Sequence, residues 1–95
     1  MAKIRRLVLD TLKAHEPNII DLANVLSELV GVSSVNISIY ELDRMVENAK
    51  ITIEGDAISF EQVSHTIEDM GGTIHSIDEV VAGKEIIDDA VTLQG

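Results

Sequence analysis

Apolar and polar residues alternate in several parts of the chain, and strict alternation is typical of a β-strand with one buried face. Val35, Ile37 and Ile39 alternate with polar residues, and Ile51 and Ile53 do the same further on. Residues 43–48, most of which are polar, separate these two patterns, which suggests a hairpin. The first part of the chain is rich in Leu, Val and Ile up to a break before Pro17. We therefore predict strands at residues 3–13, 35–40, 50–54 and 73–82.

Apolar residues recur every three or four positions in two other segments, which is the period of an amphipathic helix. Pro17 can open the first helix, and Gly31 can cap its C-terminal end. Ser59 and Gln62 have the spacing of a capping box at the start of the second helix. The two apolar stripes are Ile19, Leu22, Ala23, Leu26, Leu29 and Val30 at residues 18–30, and Phe60, Val63, Ile67 and Met70 at residues 60–70.

The predicted order of elements is β-α-β-β-α-β. With right-handed crossovers, this order closes most simply as an α+β ferredoxin-like sandwich, a four-stranded antiparallel sheet in the order 4-1-3-2 with both helices on one face. Its 95 residues fit one domain. We treat residues 1–95 as a single ferredoxin-like domain, with residues 85–95 as a C-terminal extension.

One face of this sheet, the outer face, is left uncovered by the helices. Alternation in the first strand places Leu7 and Leu9 towards the helices, and the neighbouring fourth strand then turns Ile77 and Val81 inward. The residues expected on the outer face are Ile4, Arg6, Val8, Asp10, Leu12, Leu42, Ser76, Asp78 and Val80. Because this face mixes acids with several apolar side chains, we expect a second copy of the chain to cover part of it. A homo-oligomer such as a ring is the expected assembly.

The net charge of the chain disfavours some kinds of binding partner. Seventeen acidic residues against seven Lys and Arg give a net charge of −10, which repels phosphate and argues against nucleic acid or an anionic membrane as partner. The chain has no cysteine, no secretory signal and no apolar run long enough to span a bilayer. A cytoplasmic protein that binds cations or basic proteins fits these features best.

Asp10 and Asp78 are expected close to opposite each other on neighbouring strands, where like charges destabilise a sheet unless a cation intervenes. A divalent metal would remove this conflict, with hydroxyl ligands from Ser38 or Tyr40. Oxygen ligands favour calcium or magnesium over zinc. The alternative is an ion pair from either acid to Arg6, or simple solvation.

Two weaker groups could also bind a metal. Glu41, Asp43 and Glu47 cluster around the predicted hairpin, although acids in a turn are usually only solvated. His75 could lie beside His15, and such a pair could bind a transition metal or sense pH.

Four stretches of the chain together resemble a known family. They are Arg5-Arg6-Leu7-Val8-Leu9-Asp10, Val35 to Asp43, Lys50-Ile51-Thr52-Ile53-Glu54-Gly55, and Ile74 to Lys84 with its run His-Ser-Ile-Asp-Glu-Val. The residues of these stretches are similar to those of the archaeal family named domain of unknown function 211. The resemblance implies a small archaeal cytoplasmic protein with a ferredoxin-like fold and no assigned activity.

Two hypotheses about function follow from these features. The first is a non-enzymatic module that self-associates and binds calcium, magnesium or a small ligand on its acidic sheet face or at a subunit boundary. The second is a small enzyme in which Asp10, His75 or Asp78 acts as acid or base. A defined oligomer favours the first hypothesis, and a carboxylate with a strongly shifted pKa in a concave site favours the second.

Overall fold

The computed structural model describes residues 3–84. Its elements are β1 (Ile4–Ala14), α1 (Ile19–Ser27), β2 (Val32–Leu42), β3 (Val46–Gly55), α2 (Phe60–Asp69) and β4 (Gly72–Ala82). The strands form one antiparallel sheet in the order β2-β3-β1-β4, which is the predicted order read from the other edge. The ferredoxin-like fold is therefore confirmed, and the predicted extension at residues 85–95 lies outside the described residues. Neither described helix has the length and apolar character needed to cross a membrane.

Side-chain caps start both helices. The side chain of Asn18 accepts a hydrogen bond from the Asp21 N–H at 3.0 Å, and that of Ser59 accepts one from the Gln62 N–H at 3.2 Å. Each bond satisfies a backbone donor that has no partner within the helix. Helix α1 ends at Ser27, before the predicted end at residue 30, and Gly31 then turns the chain with a φ of 90°.

Both helices pack on one face of the sheet, and the core lies between them and the two central strands. Alternate residues of β1 and β3 point into this core, as the period of two requires. The buried apolar residues are Leu7, Leu9, Leu22, Leu26, Ala49, Ile51, Ile53, Ile58, Val63 and Ile67. The other face of the sheet, the outer face, carries the intervening residues of β1 and β3, which are only partly buried.

A β-bulge at Asp78 corrects the predicted faces of two β4 residues. The pairing of β4 with β1 shifts at this residue, so that Val80 aligns with Leu7 and Val81 aligns with Arg6. Directly opposed residues share a face, so Val80 is on the helix-covered side and Val81 on the outer face. The prediction had these two residues reversed, because it assumed uninterrupted alternation and a bulge adds one residue.

Two further residues expected on the outer face lie on the helix-covered side. Ile4 packs against the core, because the pairing of β1 with β4 is also irregular between Ile4 and Arg6. Leu42 aligns with the inward-facing Glu47 of β3. The outer face therefore carries fewer apolar side chains than the alternation suggested.

The β2–β3 hairpin is tighter than the predicted polar link of residues 43–48. Strand β3 begins at Val46, so the turn consists of residues 43–45. The Asp43 N–H donates to the Val46 carbonyl at 2.9 Å and closes the turn. This hairpin therefore extends both strands towards one end of the sheet, where β1 also ends.

Candidate functional site

A polar row crosses the middle of the outer face. Ser38 of β2 aligns with Lys50 of β3, Lys50 aligns with Asp10 of β1, and Asp10 aligns with Ser76 of β4. Tyr40 reaches this row from β2. Four strands thus bring hydroxyl, ammonium and carboxylate groups together on one solvent-facing surface.

The side chains of this row contact one another directly. The Tyr40 hydroxyl donates to Asp10 Oδ1, and the Lys50 ammonium forms an ion pair with Asp78. The Ser76 hydroxyl donates to the other oxygen of Asp78 at 2.7 Å, and Lys50 Nζ lies 5.9 Å from the centre of the Tyr40 ring. We call Asp10, Tyr40, Lys50, Ser76 and Asp78 the outer cluster.

The contacts in the outer cluster favour the ordinary charge states of Tyr40, Lys50 and Asp78. Hydrogen bonds from Lys50 and then Ser76 lower the pKa of Asp78, and the bond to Asp78 raises the pKa of Lys50. The hydrogen bond to Asp10 raises the pKa of the Tyr40 hydroxyl. Each of these three shifts moves the pKa further from neutrality, whereas efficient acid–base catalysis needs a group that titrates near the working pH. The chemistry of these three groups therefore suits binding better than proton transfer.

Asp10 and Asp78 both lie on the outer face, as expected, but they are not directly opposite each other. Asp10 aligns with Ser76, not with Asp78, and Asp78 is the unpaired residue of the bulge between Ile77 and Glu79. The charge conflict that suggested a metal is reduced by Lys50, which sequence reasoning missed as a site residue. The sequence did indicate its position. Lys50 occupies a polar position in an alternating strand, so its side chain must face outward.

The Ser38 hydroxyl, an expected metal ligand, lies in the polar row but is not directed at an acid. It donates to the Asn36 side chain on its own strand, with an oxygen–oxygen distance of 3.4 Å. The exposed Tyr40 hydroxyl is the group from β2 that contacts Asp10.

The three acids predicted to cluster at the hairpin are in different environments. Glu41 is exposed on β2 and aligns with Asn48, whereas Asp43 lies in the turn and accepts a hydrogen bond from the Arg44 N–H. Glu47 points inward. Within residues 3–84, no group of three or more His, Asp or Glu side chains is arranged to hold a metal ion.

Glu47 is the centre of a buried charge group at the hairpin end of the sheet. The fully buried Lys13 ammonium lies 3.0 Å from Glu47 Oε1 and donates to the Ala14 carbonyl at 2.7 Å. His15 Nδ1 lies 2.9 Å from Glu47 Oε2. We call Lys13, His15 and Glu47 the hairpin-end triad.

The second ring nitrogen of His15 contacts the hairpin turn. His15 Nε2 lies 2.9 Å from the carbonyl oxygen of Asp43 and 3.0 Å from that of Arg44. Both ring nitrogens thus face hydrogen-bond acceptors, which favours the doubly protonated imidazolium. The ring of His15 contacts Glu47 and the hairpin turn, and not His75 as predicted. His75 is exposed on β4.

The hairpin-end triad predicts how stability depends on pH. The bond to Glu47, followed by the bond to the Arg44 carbonyl, raises the pKa of His15 above its usual 6.5. A raised folded-state pKa stabilises the fold fully below that usual value, and this contribution is lost as pH rises through the raised pKa. We expect the urea midpoint to fall over that interval in the wild type and to lose this fall in His15→Gln.

His65 provides the matched control for this pH experiment. It is an exposed histidine whose Nε2 lies 3.3 Å from Asp69 on the surface of α2, where ion pairs contribute little. His65→Gln should therefore keep the fall seen in the wild type. A fall of equal size in His15→Gln would show that His15 is not its source.

At low pH, stability should depend on Glu47. The hydrogen bonds from His15 and Lys13 lower the pKa of Glu47, so the stabilisation that Glu47 provides should disappear as pH falls through that lowered pKa.

Comparison with known proteins identifies relatives across nearly the whole chain. A family model described as Uncharacterized ArCR, domain of unknown function 211, matches residues 5–95. The Uncharacterized protein MJ0319 of Methanocaldococcus jannaschii is 54% identical over 94 residues, which cover 99% of this chain and 97% of that protein.

Proposed function

The chain belongs to the Uncharacterized ArCR family, domain of unknown function 211, and we propose that it acts as a non-enzymatic binding module that self-associates. In this proposal, the module also binds a divalent cation, calcium or magnesium, or a small ligand on its outer face or between subunits. The observation that carries the proposal is the set of exposed apolar side chains at the hairpin end of the sheet.

These side chains are Leu12, Tyr40, Leu42 and Met45, which we call the hairpin patch. Leu42 is 68% exposed and Met45 is 76% exposed, while Leu12 and Tyr40 are also among the exposed large apolar residues. They lie at the same end of the sheet, with Leu12 and Tyr40 on the outer face, Leu42 on the helix-covered side and Met45 in the turn. Grouped exposed apolar residues mark an interaction surface more often than scattered ones do.

A second copy of the chain fits the hairpin patch by charge. Arg44 lies in the turn between Leu42 and Met45 and is exposed, so the patch combines apolar contacts with a positive charge. Every copy carries a net charge of −10 and therefore offers acidic surface to the arginine of a neighbour. A contact between two different surfaces is heterologous, and repeated around an axis it closes a ring.

Cation binding is supported by the chemistry of the outer cluster. The carboxylates of Asp10 and Asp78 and the hydroxyls of Tyr40 and Ser76 are oxygen ligands of the kind that calcium and magnesium prefer. Calcium takes about six to eight oxygen ligands, so acids of a neighbouring copy could complete a site that begins on this face. The acid–base alternative has less support, since the ion pair with Lys50 lowers the pKa of Asp78.

The first test measures mass and thermal stability together. We expect light scattering to give one defined mass that is a multiple of 10.3 kDa. Replacing both Leu42 and Met45 by glutamate should reduce this mass to that of the monomer, because charge would enter the contact. A low concentration of calcium should raise the melting temperature of the wild type by roughly 4–8 °C for each 1 kcal/mol of binding free energy. A chelator should reverse this rise.

Val30→Glu is the matched control for the hairpin variants. Val30 is 85% exposed and lies just after α1, away from the hairpin, so this variant adds one charge of the same sign to a different surface. The mass should not change in this variant. For the cation, Asp10→Asn should remove the calcium-dependent rise. The proposal is contradicted if the wild type is a monomer and its melting temperature does not change when calcium or magnesium is added.

A further inference from the structure

The imidazole of His15 connects the end of β1 to the turn of the β2–β3 hairpin. The ladder between β1 and β3 ends at the pair of Ala14 and Val46, and His15 follows immediately. Beyond that pair, its ring contacts Glu47 through Nδ1 and two carbonyl oxygens of the turn through Nε2. The His15 side chain therefore holds the turn against the end of β1.

The charge of the ring decides how many of these contacts it can make. The imidazolium has two N–H donors, so it donates to Glu47 and to the turn at the same time. The neutral ring has one N–H donor, and its other nitrogen is an acceptor. Since Glu47 and the turn carbonyls are all acceptors, the neutral ring can keep either Glu47 or the turn but not both.

We expect the neutral ring to keep Glu47. A hydrogen bond to a carboxylate is roughly twice as strong as one to a neutral group, so the remaining proton stays on Nδ1, 2.9 Å from Glu47 Oε2. The bare Nε2 then directs its lone pair at the carbonyl oxygens of Asp43 and Arg44, which lie at 2.9 Å and 3.0 Å. Acceptors at these distances repel each other, so the turn is released from the ring.

The charged groups around the ring favour this outcome. Glu47 of β3 also lies 3.0 Å from the Lys13 ammonium of β1, which keeps the carboxylate charged when the ring is neutral. In the turn, the carboxylate of Asp43 accepts from the Arg44 N–H, and the Arg44 side chain is exposed. Glu16, the next residue after the histidine, is exposed as well. The turn therefore presents backbone carbonyls to the ring.

The same turn carries part of the hairpin patch. Arg44 and Met45 lie in the turn, and Leu42 is the last residue of β2 before it. A turn held against β1 therefore fixes Arg44 and Met45 relative to Leu42. A preorganised surface loses less conformational freedom on binding, so it binds a partner more tightly.

We propose that His15 is a proton-dependent switch of the hairpin turn: the protonated ring holds the turn, and deprotonation releases it and weakens self-association through the hairpin patch. The effect on self-association rests on the proposed function, whereas the release of the turn does not. The His15 side chain is 39% exposed, so it can exchange its proton with water while the domain stays folded. Because the hydrogen bond to Glu47 raises the pKa of His15 above 6.5, the release occurs above that pH.

An NMR titration of the full-length wild type from about pH 5 to about pH 9 tests the release of the turn. The ring nitrogens of His15 should show the Nδ1–H tautomer at the alkaline end. The heteronuclear NOE of the Arg44 and Met45 amides should fall with the same midpoint as the ring. An Nε2–H tautomer at alkaline pH overturns the switch, and so does an NOE at these amides that stays constant.

The dissociation constant of self-association tests the effect on the hairpin patch. Sedimentation velocity at a series of concentrations should show an increase of about tenfold from the acidic to the alkaline end, the size expected for the loss of one hydrogen bond to a charged group. His15→Gln should remove most of this increase, whereas His65→Gln should keep it. An equal increase in His15→Gln overturns the control of self-association by His15. A wild type that is a monomer at every pH contradicts the proposed function, and the NMR titration then still decides the switch.

Discussion

Replacing Glu47 with glutamine should lower the free energy of unfolding by about 3–5 kcal/mol, because it leaves a buried ammonium without its counter-charge. The Lys13 side chain has no solvent exposure, and its nitrogen lies 3.0 Å from Glu47 Oε1. Glutamine keeps the size of the side chain, so the loss reports charge and not a cavity. Urea denaturation at neutral pH should show a lower midpoint with an unchanged slope.

Two further variants show whether burial causes this loss. Asp69→Asn breaks the exposed ion pair with His65 and should change stability by less than about 1 kcal/mol. Lys13→Met in the Glu47→Gln background removes the unpaired charge and should restore much of the lost stability. A Glu47→Gln loss no larger than that of Asp69→Asn would mean that the Lys13–Glu47 pair does not stabilise the fold.

Replacing Gly31 with alanine should lower the free energy of unfolding by about 2–5 kcal/mol. Gly31 has a φ of 90°, and a Cβ atom added there would lie 2.1 Å from the carbonyl oxygen of Ala57. That neighbour is backbone, so relief requires the loop after β3 to move. The variant therefore carries both the cost of a left-handed alanine and the cost of a collision. Urea denaturation measures the sum.

Gly71→Ala separates these two costs. Gly71 has nearly the same φ, 87°, but the nearest atom to an added Cβ would be 3.9 Å away. Its loss should be only the left-handed cost of about 1–2 kcal/mol. If the two variants lose equal stability, then the close approach of Gly31 to Ala57 does not constrain the fold.

The secondary structure was largely predictable, because an element with one buried face repeats its apolar residues at the period of a helix or a strand. Helix α2 lies where its spacing and the Ser59 cap placed it, at Phe60–Asp69. The start of β3 was missed by four residues, since Glu47 and Asn48 are adjacent polar residues that hide the alternation. Glu47 is an inward-facing acid, and its pairing with Lys13 and His15 makes that position tolerable.

Alternation predicted the face of several residues of the outer cluster but not their contacts, and Lys50 was missed. Alternation correctly put Asp10 on the outer face, because residues two apart in a strand share a face. The partner of Asp10 on β4 depended on the register of the two strands, which a pattern of apolar and polar residues does not reveal. The bulge at Asp78 exchanged the faces of Val80 and Val81, and Asp78 forms an ion pair with Lys50.

The amino-acid pattern was therefore sufficient for the order of the elements, the side of each helix that is buried and the strongly acidic surface. These properties depend on residues near one another in the chain, so short-range periodicity and composition reveal them. The pairing of Lys13 with Glu47 and of Lys50 with Asp78 joins residues that are far apart in the chain. Such partners depend on the hydrogen-bond register of neighbouring strands, which forms only when the whole sheet has folded.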